Sequence, residues 1–243
     1  THVDSSAASD VYKRQFIEYQ FRLRGATGVA YESICASGSN ATVLHYIKND
    51  QKIKKKELFL IDAGCRYNHY TSDITRTYPA NGKFTQAQAD LYRLVYDCFL
   101  AVVKACKPGK SKVDLEKITE EHLTDGLFSL GILKGKLNDH LKSRSVKKYY
   151  PHGIGHWLGL DTHDPSAYFG KTEKPLNFVP GAVLTVEPGL YFAKNDKSVP
   201  AKYRGIGIRL EDDFLITRGK PENLTAGLPM MLEDVEDFMN SGS

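Results

Sequence analysis

The chain of 243 residues lacks the features that mark a membrane-spanning, secreted or nucleic-acid-binding protein. No apolar run approaches the ~20 residues needed to cross a bilayer. No hydrophobic signal core stands near its start. Cysteine is scarce: Cys35, Cys65, Cys98 and Cys106 include no C-x-x-C pair, which argues against a zinc–thiolate site. Cys98 and Cys106 fall on the apolar stripe of an expected helix and read as buried, reduced thiols, the usage of a reducing, cytoplasmic compartment. Charge of one sign is not in large excess, the net value being +4. The one basic cluster, Lys52, Lys54, Lys55 and Lys56, has no aromatic residues interleaved and reads as a solvated loop. Neither a nucleic-acid nor a membrane partner is expected. No repeat of short fixed period is present.

What is present is an ordinary globular composition, 41% hydrophobic and 26% charged, on a chain long enough for a sizeable core. Residues 1–12 are small and polar at first, without periodicity, and are expected to be a disordered tail or a remnant of preparation; residues 13–243 are expected to form one domain. A helix is expected over 11–24, with Asp10 as its cap. Short strands are expected over 31–36 and 41–47 around a Ser37-Gly-Ser-Asn40 turn, then over 57–63 and 67–78. The clearest helix spans 86–106, with Leu91, Leu94, Val95, Cys98, Phe99, Val102 and Val103 at i, i+3, i+4 spacing. Thr85 and Gln88 have capping-box spacing at its start. A second helix covers 113–130, and the polar stretch 134–148 is ambiguous. Short strands follow at 182–187, 190–192, 205–211 and 213–217, and an amphipathic helix at 231–239. Helices and strands mix without regular βαβ alternation, so an α+β fold is expected.

The candidate functional residues are acids and a histidine set in or beside apolar, strand-like runs. They are Asp62, Asp73, His156, Glu187 and Glu211. Taken singly, each has a plain structural reading: a strand-end cap, a surface residue, a core imidazole, a turn acid, one of a solvated acidic trio with Asp212 and Asp213. Taken together they invite another, because an ionised group withdrawn from water is costly unless paired or bound to a metal. Four carboxylates and one imidazole converging in space have the donor set of a two-metal hydrolase.

The strings that carry them are Leu60-Ile-Asp-Ala-Gly64, Ser72-Asp-Ile-Thr-Arg-Thr77, His152-Gly-Ile-Gly-His156, Val186-Glu-Pro-Gly189 and Arg209-Leu-Glu211. In this order and spacing the chain resembles the pita-bread metallopeptidases, over roughly residues 16–235. Within them it looks most like the Xaa-Pro aminopeptidase (aminopeptidase P) and prolidase branch, through Ala41-Thr-Val-Leu-His-Tyr46 and His156-Trp-Leu-Gly-Leu-Asp-Thr-His-Asp164. Trp157 leans toward the aminopeptidase. The resemblance implies a curved antiparallel sheet flanked by helices.

It implies two divalent metal ions. Asp62 would hold one, His156 and Glu187 would complete the other, and Asp73 and Glu211 would bridge them around a shared hydroxide. Such oxygen-rich ligation suits Mn²⁺, with Co²⁺ or Zn²⁺ as alternatives. His45, His152 and His163 are implied as substrate and catalytic residues, His163 being the oxyanion donor. Glu187 doubles as the proton carrier, and Tyr191 and Arg209 support substrate binding. The implied substrate is a peptide with proline second. Prolidase-type cleavage of Xaa-Pro dipeptides, methionine aminopeptidase activity and a non-catalytic binding module remain alternatives, although all five ligand positions are filled. A homo-oligomer is possible on the same resemblance. Two departures stand out: the N-terminal domain usual in the family has no counterpart here, so a naturally short enzyme or a fragment is expected, and Asp164-Pro-Ser-Ala167 replaces the more usual valine–glycine pair.

Overall fold

A computed structural model describes residues 9–241. Helix α1 (Asp10–Leu23) leads into strands β1 (Gly28–Val29) and β2 (Ile34–Ser37). Then come β3 (Leu58–Asp62), β4 (Cys65–Tyr67), β5 (Tyr70–Thr71) and β6 (Thr75–Pro79). Three helices follow, α2 (Gln86–Val103), α3 (Lys112–Ser129) and the short α4 (Leu137–Ser143). The chain ends in β7 (Val183–Val186), β8 (Gly189–Tyr191), β9 (Gly207–Arg209), β10 (Asp212–Leu215), β11 (Glu222–Asn223) and α5 (Leu232–Ser241). All strand pairings are antiparallel, in the orders β1-β4-β5, β2-β3-β6, β11-β10-β7 and β8-β9. Mixed helices and antiparallel strands bear out the α+β expectation.

Helix α2 organises the core. The reciprocal capping box of Thr85 and Gln88 satisfies its first free N–H groups, as its spacing predicts. Its apolar stripe, Leu91, Val95, Cys98 and Val102, is fully buried against α3 and the strands around β7 to β9. Each such aliphatic side chain stabilises the fold by about 1.5–3 kcal/mol relative to an exposed position. Helix α3 opens on a second capping box, Ser111 with Asp114. Among the described residues the cysteines are free, and no helix is long and apolar enough to cross a membrane.

Several expected elements differ. Asp10 does not cap α1: Ser9 does, and Asp10 is fully buried, with its N–H on the Gln51 carbonyl. Residues 9–12 therefore belong to the fold rather than to a tail; the rest of the expected tail lies outside the described residues. The expected 41–47 strand is a 3-10 turn (Gly38–Thr42) followed by an irregular loop. The long 67–78 strand is broken into β4, β5 and β6, because Asn68 and His69 take positive φ and turn the chain between β4 and β5. The ambiguous 134–148 stretch contains α4 and a 3-10 turn (Ser145–Lys148).

Candidate active site

Strand pairing brings the acids together. In β3 the last residue, Asp62, is in register with Thr75 of β6. Thr75 forms an isolated antiparallel bridge with Glu211, whose N–H donates to the Thr75 carbonyl at 3.0 Å. The Thr75 hydroxyl also donates to Glu211 Oε2 at 2.6 Å. Asp73 lies two residues before β6, and its N–H donates to Asp213 Oδ2 at 3.1 Å. On the other side, the His156 loop lies along β7. Thr185 N–H donates to the His156 carbonyl at 2.9 Å, and Glu187 N–H to the Ile154 carbonyl at 2.9 Å. Because β7 pairs with β10, with Asp212 opposite Val186, Glu187 and Glu211 are delivered to the same place.

Two glycines permit this crowding. A Cβ on Gly64 would sit 1.7 Å from the Ser72 carbonyl oxygen, and one on Gly155 would sit 2.0 Å from that of Thr185. Any side chain at either position would push a ligand-bearing segment away.

All five expected ligands line one cavity of ≈ 940 Å³, together with His45, His152, His163 and Arg209. Ligand atoms of Asp73, His156 and Glu211 lie within 4.8 Å of one another. His156 Nε2 is 3.4 Å from Asp73 Oδ2 and 3.8 Å from Glu187 Oε1. The His156 Nδ1–H donates to the Trp157 carbonyl at 3.0 Å, which aims Nε2 at the acids; burial opposes a charge on the ring, but the Asp73 hydrogen bond and the Glu187 charge outweigh it and raise its pKa. With Nδ1 committed as a donor, Nε2 is the nitrogen left for a metal ion, which would displace its proton.

The electrostatics point the same way. Tyr31 contacts both Asp62 Oδ1, at 2.5 Å, and Asp73 Oδ1. A phenol carries one proton, so it satisfies only one of these carboxylates at a time. Arg209, itself buried, pairs with Asp62 and donates to Thr75 Oγ1 at 3.2 Å. One guanidinium does not balance this many acids. Burial raises the Asp73 carboxyl, against the His156 hydrogen bond, and raises Glu187 to about 7. Burial and then repulsion by Asp73, Glu187 and Asp62 push Glu211 well above the usual carboxylate range. Asp213 rises to about 8 by burial, and its Oδ1 is buried without a hydrogen-bond partner. Acids held this way retain protons unless cations replace them, so the donor set fits divalent metal ions.

The histidines are less uniform. His152 is locked: Nδ1–H donates to the Gly153 carbonyl at 2.7 Å, and Nε2 accepts from the Tyr191 hydroxyl at 2.8 Å. Tyr191 in turn accepts from Arg209 at 3.0 Å. Burial, then the Arg209 charge, lowers His152 to about 3 and keeps it neutral. Tyr191 does not line the cavity; it stands behind His152 and holds it. His45 and His163 lie on exposed loop segments of the lining, and neither ring makes a hydrogen bond among the described residues. The His163 ring packs against His156 at 4.3 Å between centroids, and burial, then the His156 charge, lowers its pKa.

Sequence reasoning missed Tyr31, Thr75, Asp213 and the buried ion pair of Arg76 with Asp212 at 2.7 Å. Asp212 and Asp213 are not members of a solvated trio; both are buried with Glu211. Thr75 and Arg76 stand inside the 72–77 string, and Asp212 and Asp213 directly follow Glu211; Tyr31 carries no such signal.

The chain matches the family model of metallopeptidase family M24 over residues 9–218. It is 43% identical to an Xaa-Pro aminopeptidase of Escherichia coli over 92% of its own length and 50% of the relative's. It is 38% identical to the human Xaa-Pro aminopeptidase 3 over 93% of its own length and 44% of the relative's. The solved aminopeptidase PepP of Pseudomonas aeruginosa superposes with a TM-score of 0.94 and 40% identity, covering 97% of this chain and 53% of that one. The chain spans about half the length of the curated relatives it matches.

Proposed function

The chain belongs to metallopeptidase family M24 and has its pita-bread fold, and from that premise we propose that it is a dinuclear-metal exopeptidase that cleaves an N-terminal residue from a following proline. The observation that carries this reading is the set of carboxylates gathered around His156 Nε2 in one cavity, too acidic to be balanced by Arg209. Asp62, Asp73, His156, Glu187 and Glu211 would hold the two ions. Mn²⁺ is the ion that best suits four carboxylates and one imidazole. Bound there, the cations supply a water activated near neutral pH and polarise the scissile carbonyl.

The remaining roles fall to the chain's own side chains. Arg209 and Tyr31 orient Asp62 and limit repulsion in the floor. Glu187 would take a proton from the attacking water and return it to the leaving proline nitrogen. His163 donates to the developing oxyanion. His45 faces the substrate from the opposite loop, and His152, fixed by Tyr191, keeps the floor's edge neutral. The preference for proline at the second position comes from the likeness to relatives named Xaa-Pro aminopeptidase. The free thiols are in keeping with a cytoplasmic site of action.

The test is a peptidase assay of the Mn²⁺-loaded chain against Xaa-Pro-Yaa, Xaa-Pro and Met-Ala-Yaa peptides, with a chelated control. Chelator-sensitive release of Xaa from Xaa-Pro-Yaa is expected. Dominant cleavage of Xaa-Pro would make it a dipeptidase, dominant cleavage of Met-Ala-Yaa a methionine aminopeptidase. Metal binding without any cleavage would leave a binding module.

A further inference from the structure

Lys112 is a cavity cation that the metal centre does not use. It is the first residue of α3 and lines the same cavity as the acidic floor. Its ammonium lies 4.3 Å from the centroid of the Tyr168 ring. Tyr168 is itself fixed, stacked on Trp157 at 5.5 Å between centroids and accepting the Trp157 N–H at 2.9 Å. On its other side Lys112 rests against the backbone of Gly153, where a Cβ would come within 3.4 Å of Nζ. The lysine is therefore positioned rather than loose.

Three acids near Lys112 in the chain or along the same wall have other partners. Asp114 caps Ser111 and pairs with Lys110. Glu116 takes the Ile154 N–H, the Tyr150 hydroxyl and Lys147. Asp164 accepts from Ser166. Among the described residues Lys112 has no ion-pair partner, although it faces a cavity large enough for a short peptide. The charge layout gives that peptide a direction. Removal of one N-terminal residue places the free α-amine and the scissile bond together at the floor of Asp62, Asp73, Glu187 and Glu211, so the carboxylate end of the peptide runs away from that floor along the cavity that Lys112 lines. A lysine repels the amine and attracts the other end.

We propose that Lys112 is a specificity-determining residue that pairs with a carboxylate just downstream of the scissile bond. The inference rests on the peptidase reading and adds a substrate class to it: short peptides whose terminal carboxylate, or whose acidic side chain, follows the proline closely.

The test compares Ala-Pro-Ala, Ala-Pro-Ala-amide and Ala-Pro-Asp-amide with the Mn²⁺-loaded wild type, Lys112→Gln and Lys112→Arg. The wild type is expected to favour a carboxylate-bearing peptide over Ala-Pro-Ala-amide by about tenfold, mostly in KM, the scale of a charge-assisted hydrogen bond. A preference for Ala-Pro-Ala identifies the terminal carboxylate as the partner, and a preference for Ala-Pro-Asp-amide the side chain. Lys112→Gln is expected to erase the preference with metal content unchanged, and Lys112→Arg to restore part of it. Calorimetry with Pro-Ala and Pro-Ala-amide gives the same comparison without turnover. If no Xaa-Pro peptide is cleaved but Pro-Ala binds better than its amide in a Lys112-dependent way, the peptidase reading fails and the Lys112 assignment stands. Equal treatment of acids and amide by the wild type, or a preference that survives Lys112→Gln, overturns it.

Discussion

The acids of the cavity floor sit on strands or directly beside them, and each is held by partners from another segment. Glu211 is tied to Thr75 through both backbone and side chain, Asp73 to Asp213 through its N–H, and Asp62 to Arg209 and Tyr31. His45 and His163 of the opposite wall occupy loops, with exposed residues and unbonded rings. The contrast matches what each region must do. On the proposed reading, ligands for cations have to converge before the cations arrive, because like charges do not gather unaided. Groups that meet a substrate are free to settle onto it when it binds.

The largest expected effect breaks the floor. Asp73→Asn or Glu211→Gln removes a charge from the floor and is expected to abolish metal-dependent peptidase activity, with bound metal lost in parallel when measured by elemental analysis. Unchanged turnover in either variant would end the ligand assignment. Next comes the frame around the floor. Arg76 is buried, pairs with Asp212 and donates to the Glu211 carbonyl at 2.6 Å. Arg76→Met leaves Asp212 uncompensated and is expected to cost about 3–5 kcal/mol in chemical denaturation. His163→Ala, on the wall, is expected to lower kcat by ~10²–10³ while metal content and stability hold, as for loss of an oxyanion donor. Metal loss in that variant would move His163 from wall to floor.

A pH experiment sharpens the comparison without mutation. Above pH 6.5, the ordinary histidine value, the lowered His152 is neutral whether folded or unfolded and contributes no further change. Glu187 and Asp213 have folded values of about 7 and about 8, above their ordinary 4.5 and 3.8. An acid raised in this way favours the fold while protonated and disfavours it as pH rises through the folded value. The metal-free chain is therefore expected to lose stability between pH 6.5 and about 8, and Mn²⁺ to restore it increasingly over that range. A metal-free melting temperature that rises across this range would contradict the burial of unbalanced acid. The smallest effect is expected from His45→Ala, whose exposed ring carries no structural bond: kcat/KM falls by no more than about tenfold and the melting temperature stays put.

The two regions also differed in how legible they were. The floor showed in the sequence because each expected ligand stands inside a motif string whose order and spacing are distinctive. Its supports did not. Tyr31 is a lone tyrosine in an unremarkable stretch, and Asp213 matters only because β10 folds back beside Asp73. Asp10 looked like a cap because it precedes an apolar run; one residue earlier Ser9 takes that role, and the chain buries Asp10 against Gln51 and Ser37. On the wall, the residues around His45 alternate like a strand, yet no neighbouring strand pairs with them and they remain a loop. Alternation records which side chains are buried, not whether an edge is available for pairing.

The central claim is that this floor holds two divalent cations. Calorimetric titration of the metal-free chain with Mn²⁺, checked by elemental analysis, tests it directly. The account predicts two ions per chain in the wild type, with protons released on binding, and a loss of at least one ion in Asp62→Asn. No bound metal in the wild type, or full occupancy in Asp73→Asn and Glu211→Gln alike, would contradict it.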